Sequence, residues 1–159
     1  MNWTSFPHYK QLDSMDCGPT CLRMIAKYYG KHYNLNYLRE KCFIDNEGVS
    51  LKGICEAAET IGFRTLAVQI PYAAPKDKAS LMQAKLPAIL HWNQQHFVVV
   101  YKLGKKHVWI ADPSRTKAKL KLADFKKYWL SKNNMGIALM LEPSPLFYER
   151  EQVDQATWR

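Results

Sequence analysis

At 159 residues, 47% hydrophobic and 23% charged, the chain is sized and composed for one globular domain with its own core, which excludes a disordered or fibrous protein. The longest strongly apolar stretch, Phe97 to Tyr101, is far too short for a membrane span, and the start Met1-Asn2-Trp3-Thr4-Ser5-Phe6-Pro7 lacks the basic and apolar regions of a signal peptide. The net charge of +9 is concentrated in the C-terminal third, in Lys102, Lys105, Lys106, Lys117, Lys119, Lys121, Lys126, Lys127 and Lys132; a solvated surface is the favoured reading, ahead of an anionic membrane or nucleic acid, for which no motif is present.

The first half reads as helices. Leu22, Ile25, Ala26 and Tyr29 recur at i, i+3, i+4, i+7 and Gly30 follows, which predicts a helix at about 18–29. Pro19 suits its first turn, where a missing N–H costs nothing. A short helix is expected near 34–42, with Leu35, Leu38 and Cys42 inward. A third starts from a Ser50 cap, lines up Leu51, Ile54, Ala58 and Ile61, and closes at Gly62.

The second half reads as strands. Leu66, Val68 and Ile70 alternate before Pro71, and residues 72–86 read as a loop with one short helical turn. Pro87 to Trp92 is a buried-type strand, and His96 to Leu103 is the clearest strand in the chain. Gly104-Lys105 reads as a tight turn into residues 106–111, so a hairpin is expected over 96–111. A strand near 118–122 alternates Lys119 and Lys121 with Leu120 and Leu122, the pattern of an edge strand with one wet face. A helix at 123–131 and a last strand from Gly136 to Leu141 follow. Helices first and antiparallel strands after them predict an α+β fold. Beyond Glu142, Pro143-Ser144-Pro145 and the polar run from Glu149 to Gln155 read as a linker or unpacked tail, so a domain over 1–143 and a tail over 144–159 are expected.

Cys17, Cys21, Cys42 and Cys55 show no CxxC, and a domain of this size needs no disulfide staples, so free thiols in a reducing compartment are expected. Cys17 and Cys21 share a helix face, but no second paired ligand set accompanies them, and no metal site is expected. Cys17 lies at a helix N-terminus, where exposed N–H groups and the dipole favour a thiolate. A cysteine nucleophile also needs an imidazole to hold its proton and a group to orient that imidazole. His96 opens the strong strand, and Asp112, followed by Pro113, ends the neighbouring one. Both therefore lie at the same end of the hairpin, within hydrogen-bond reach. Gln11, six residues before Cys17, could join the Cys17 backbone N–H in an oxyanion hole. Singly, each has a plainer reading: a buried cysteine, a strand-end histidine, a turn aspartate. His8, His32, His91 and His107 lack an arguable acid partner, and His91, mid-strand beside Trp92, reads as structural.

Taken in order, these residues resemble the C39 peptidase family. The resemblance rests on Gln11 to Gly18, on His96-Phe97-Val98-Val99-Val100 and on Ala111-Asp112-Pro113-Ser114. Secondary agreement comes from Met24 to Gly30, from Gly48-Val49-Ser50-Leu51 and from Ile137-Ala138-Leu139, and the likeness covers residues 6–143. It implies a papain-like cysteine protease fold, N-terminal helices packed on a C-terminal antiparallel sheet. In it Gln11 is the oxyanion donor, Cys17 the nucleophile, His96 the base and Asp112 the orienter. It implies an endopeptidase that cuts a leader peptide from a ribosomally made, bacteriocin-like precursor after a double-glycine-type motif, coupled to export by an ABC transporter. The implied partners are a precursor with an amphipathic helical leader and the membrane and ATP-binding domains of the same transporter. Neither domain is in this chain, which has no membrane span and no GxxxxGK[ST]. The implied place is the cytoplasmic face of the bacterial inner membrane; the Pro-rich tail favours an excised domain over a stand-alone peptidase. No cofactor and no nucleic acid is implied. The alternative is a docking domain that binds the export substrate without cutting it, against which the presence of Cys17 with His96 and Asp112 argues.

Overall fold

The computed structural model describes residues 5–43, 49–93 and 95–149. Met1 to Thr4, Gly48 and the run from Arg150 to Gln155 of the expected tail lie outside them. Three helices come first: α1 (Cys17–Tyr28), α2 (Leu35–Cys42) and α3 (Leu51–Thr60). Their starts have local causes. Asn34 Oδ1 accepts the Asn36 N–H at 2.8 Å to cap α2, and Ser50 Oγ accepts the Gly53 N–H at 3.0 Å to cap α3. Asp16 holds the same position before α1 but makes no side-chain cap bond; its carboxylate is used elsewhere.

Among the described residues six antiparallel strands form one sheet: β1 (Phe63–Ile70), β2 (Ala88–Trp92), β3 (His96–Leu103), β4 (His107–Ala111), β5 (Lys117–Lys121) and β6 (Gly136–Pro143), with α4 (Leu122–Trp129) between the last two. The order across the sheet is β1-β6-β2-β3-β4-β5. The last strand thus enters between the first two, pairing with β1 from Phe63↔Pro143 to Ile70↔Gly136 and with β2 from Ala88↔Met140 to Leu90↔Ala138. Residues 71–87, which include one 3-10 turn at Leu81–Gln83, carry the chain from β1 to β2.

Alternation along β3 builds two cores. Phe97 and Val99 join Leu22, Ile25, Leu38 and Ile54 under the three helices, while Val98 and Val100 join Phe125 and Trp129 under α4. A strand covered on both faces reads as a continuous apolar run, which is why 97–101 stands out in the sequence. The α+β architecture is as expected, and β5 is an edge strand with Lys119 and Lys121 exposed. No helix among the described residues is long and apolar enough to cross a membrane.

The start of the tail departs from expectation. Pro145–Glu149 forms a short helix, α5, whose Phe147 is fully buried with its ring centroid 4.7 Å from that of Phe63. Ser144 anchors it: its N–H and Oγ–H both donate to the Gly62 carbonyl, at 3.0 and 2.6 Å. Gly62 has φ +105°, and a Cβ there would meet the Phe147 backbone at 2.4 Å. The packed body therefore continues past residue 143. One aromatic in a proline-rich, polar surrounding has no period to reveal it.

Candidate active site

Cys17 is the first residue of α1 and is 4% exposed. One turn further on, the Cys21 thiol donates to the Phe97 carbonyl at 3.3 Å, which seats the start of α1 on the start of β3. His96, the first residue of β3, is thereby brought to Cys17. Its Nε2–H donates to Asp112 Oδ1 at 2.7 Å. That leaves Nδ1 for the Cys17 thiol, whose proximity helps to raise the His96 imidazole.

Asp112 directly follows β4, whose Ala111 pairs with Val99 of β3. Its Oδ1 also accepts the Ser114 N–H at 2.9 Å and the Ser114 Oγ–H at 2.7 Å, an Asx-type turn that aims the carboxylate. Burial pushes the Asp112 carboxyl up, but the hydrogen bonds from His96 and Ser114 and the His96 charge hold it below its ordinary value. Burial pushes the His96 imidazole down, yet the hydrogen bonds to Asp112 and Cys17 and their charges win and raise it to about 9. At neutral pH His96 is therefore an imidazolium beside a thiol, the ion-pair setting in which a cysteine becomes nucleophilic.

The other thiols sit in the opposite setting. Burial raises Cys42 to about 12 and raises Cys55, and burial, then the neighbouring charges of Cys17 and Asp112, raise Cys21 well above its usual range. All four cysteines are free. Among the described residues no group of three or more His, Cys, Asp or Glu side chains is placed to hold a metal ion.

The structure brings Cys17, His96 and Asp112 together: His96 is hydrogen-bonded to Asp112, and the Cys17 thiol lies close enough to act on the His96 ring. Gln11 is tied to the same end of the sheet through its backbone, whose N–H donates to the Pro113 carbonyl at 2.7 Å. Its side-chain Nε2 donates to the Asp13 carbonyl at 2.9 Å; the amide has a second N–H to offer. His91 is paired with Phe97 across β2 and β3, and its ring centroid lies 5.3 Å from the Phe97 ring, the structural placement expected of it.

Four residues around the site escaped the sequence reading. His8 Nε2–H donates to the Asp112 main-chain carbonyl at 2.8 Å, a contact 104 residues away in sequence that no local pattern encodes. Ser114 was legible in principle, because Asp-Pro-Ser is a turn whose third residue bonds back to the first. Asp16 is fully buried next to Cys17, and Arg39 of α2 reaches its Oδ1 with Nε at 2.8 Å. That Nε–H is aimed off the oxygen, so the contact is an ion pair more than a directional hydrogen bond. A cavity of about 430 Å³ lies against Asp112 on the α4 side, with Trp92, Ile110, Leu120 and Tyr128 as apolar lining and Arg115 among its polar residues.

With this geometry in place, the comparisons with known proteins agree on one family. Residues 5–145 match the model of the peptidase C39 family. The lactococcin-G-processing and transport ATP-binding protein LagD of Lactococcus lactis subsp. lactis is 36% identical over 137 residues, 84% of this chain and 18% of that protein. The colicin V secretion/processing ATP-binding protein CvaB of Escherichia coli is 31% identical over 141 residues, 89% of this chain and 19% of that protein. The chain thus spans about a fifth of the length of these curated relatives. Among solved structures, a double glycine motif protease from an AMS/PCAT transporter, in complex with the leader peptide, superposes with TM-score 0.75 at 26% identity, covering 87% of this chain and 91% of that one. The peptidase domain of Streptococcus ComA, a bi-functional ABC transporter involved in a quorum sensing pathway, gives 0.74 at 30%, covering 87% and 99%. The fold is the α+β, papain-like fold of these peptidase domains.

Proposed function

The chain belongs to the peptidase C39 family, and from that premise we propose that it is a cysteine endopeptidase that cuts the leader from a ribosomally made, bacteriocin-like precursor after a double-glycine-type motif. The single observation that carries this reading is His96 held between Cys17 and Asp112, with Nε2 at 2.7 Å from the carboxylate and the other ring nitrogen left for the thiol. In this reading the Cys17 thiolate adds to the carbonyl carbon of the second small residue, forming a C–S bond and an oxyanion. The Cys17 backbone N–H and a Gln11 side-chain N–H hold that oxyanion. The C–N bond then breaks, and His96 gives its proton to the leaving amine. Water attacks the thioester while His96 takes its proton, the leader leaves as a carboxylate, and the thiol is restored. Asp112 keeps the ring in the useful tautomer and stabilises the imidazolium.

The leader is read as an amphipathic helix. The cavity beside Asp112, with Trp92, Ile110, Leu120 and Tyr128 in its lining, suits its apolar anchors; of the residues that cut, Asp112 alone lines it. Because the similar relatives are transport ATP-binding proteins several times longer than this chain, the membrane and ATP-binding domains of a transporter are the further partners, and the cytoplasmic face of the bacterial inner membrane is the place of action. Residues 150–159 are the candidate connection toward those parts.

The test is cleavage of synthetic leaders ending in Gly-Gly or Gly-Ala, each followed by a short core, monitored by mass spectrometry. Cleavage directly after the small pair by wild type, with none by Cys17→Ala that still binds leader, is the expected result. Leader binding without cleavage by wild type, with Cys17 alkylating no faster than the other three thiols, would establish the docking-domain alternative instead.

A further inference from the structure

Asp16 poses an electrostatic problem for the residue that follows it. It is 0% exposed, it precedes the Cys17 nucleophile directly, and it leaves the helix cap unmade. A buried carboxylate beside a thiol opposes formation of the thiolate. One side chain answers it: Arg39 Nε of α2 lies 2.8 Å from Asp16 Oδ1, and Nη2 of the same guanidinium lies 3.8 Å from Asp13 Oδ2. Asp13 and Asp16 are locked to each other as well, through the Asp13 N–H to Asp16 Oδ2 at 3.3 Å and the Asp16 N–H to the Asp13 carbonyl at 3.1 Å. Asp13 in turn holds the Gln11 amide through its carbonyl at 2.9 Å. Arg39 therefore grips, from a neighbouring helix, the loop that carries the expected oxyanion donor and leads directly into the nucleophile.

We propose that Arg39 is a positioning residue that also acts electrostatically. It offsets the buried charge of Asp16, the residue directly before Cys17, a charge that opposes a thiolate there, while fixing the 11–16 loop. The inference rests on the peptidase reading of Cys17. The groups that interact with that thiol or its neighbours are His96 from β3, Asp112 from the turn after β4 and Cys21 one turn along α1; Asp13 and Asp16 lie in the loop that leads into Cys17, and Arg39 of α2 pairs with both. His96 and Arg39 favour the thiolate; Asp16 and Asp112 oppose it, and Asp112 is already offset by its bond to His96. Losing Arg39 leaves Asp16 as the unbalanced charge.

The experiment is the pH dependence of Cys17 alkylation by iodoacetamide in the full chain, read peptide by peptide, beside the cleavage pH profile. Arg39→Gln moves the midpoint up by on the order of one pH unit. Asp16→Asn, which leaves the guanidinium in place, moves it down. The double variant Asp16→Asn/Arg39→Gln returns it close to wild type, and Arg39→Lys, which keeps the charge, holds it there. Lys52→Gln removes an equal charge from an exposed site on α3 and leaves the midpoint unchanged. A purely structural strut would slow turnover in all the Arg39 variants and move no midpoint; that pattern overturns the proposal and leaves the peptidase reading standing. If Arg39→Gln does not fold, Asp16→Asn decides alone, and a midpoint that fails to fall overturns the proposal. A wild type that neither cuts leaders nor alkylates Cys17 faster than its other thiols overturns both.

Discussion

His96 carries two opposed forces, and their balance sets the pH behaviour of the molecule. Burial disfavours its charge, and the Asp112 carboxylate and Cys17 thiol restore it, so that it titrates at about 9 instead of 6.5. A raised histidine stabilises the fold fully below 6.5, and the contribution is lost as pH rises through about 9. The stability difference between wild type and His96→Gln should therefore be flat below pH 6.5 and shrink toward pH 9, measured by denaturant titration across that range. Under the proposed mechanism cleavage should fall on the alkaline side near the same value, because the His96 imidazolium assigned to protonate the leaving amine is gone. Gln11 is a separate residue-scale test. Its backbone is fixed by Pro113, so truncating the side chain leaves the loop in place. Gln11→Ala should cost on the order of a hundredfold in cleavage rate with folding intact, and an unchanged rate would remove it from the oxyanion hole.

At the scale of elements, the helices were legible because each is locally consistent. The Asn34 and Ser50 caps and the 3.6-residue apolar period agree on α2 and α3, and period-2 alternation with a tight turn marks the β3–β4 hairpin. The end of the chain was not legible. A five-residue helix between prolines has too few turns to show a period, and its one anchor, Phe147, is recognised only by the pocket it fills beside Phe63 and Gly62. Phe147→Ala should destabilise the fold by about 3–5 kcal/mol in equilibrium unfolding, a cost of core truncation that an unpacked tail would not show. A value near zero would return residues 144–149 to the role of linker.

On the scale of the whole molecule, the sheet assembles the site. The hairpin brings Asp112 to His96, α1 docks on β3 through Cys21, and the chain ahead of α1 is stitched to Pro113. All four candidate residues, Gln11, Cys17, His96 and Asp112, are therefore supplied by this one chain. Cleavage by the isolated chain should accordingly need no nucleotide, and adding ATP or a non-hydrolysable analogue should leave the rate of leader cleavage unchanged. A rate that rises severalfold with nucleotide would mean that some part of the site is contributed from outside.

The sequence by itself determined the element types, the α+β class and the order Gln11, Cys17, His96, Asp112, because caps, periods and turns act within a few residues and a hairpin fixes which ends meet. Tertiary structure alone decided that β6 enters between β1 and β2, that Arg39 pairs with Asp16, that His8 bonds to the Asp112 carbonyl and that Phe147 closes the core. Each of these joins residues far apart in the chain. Such contacts are selected by the burial and charge compensation of the assembled fold, and no local period encodes them.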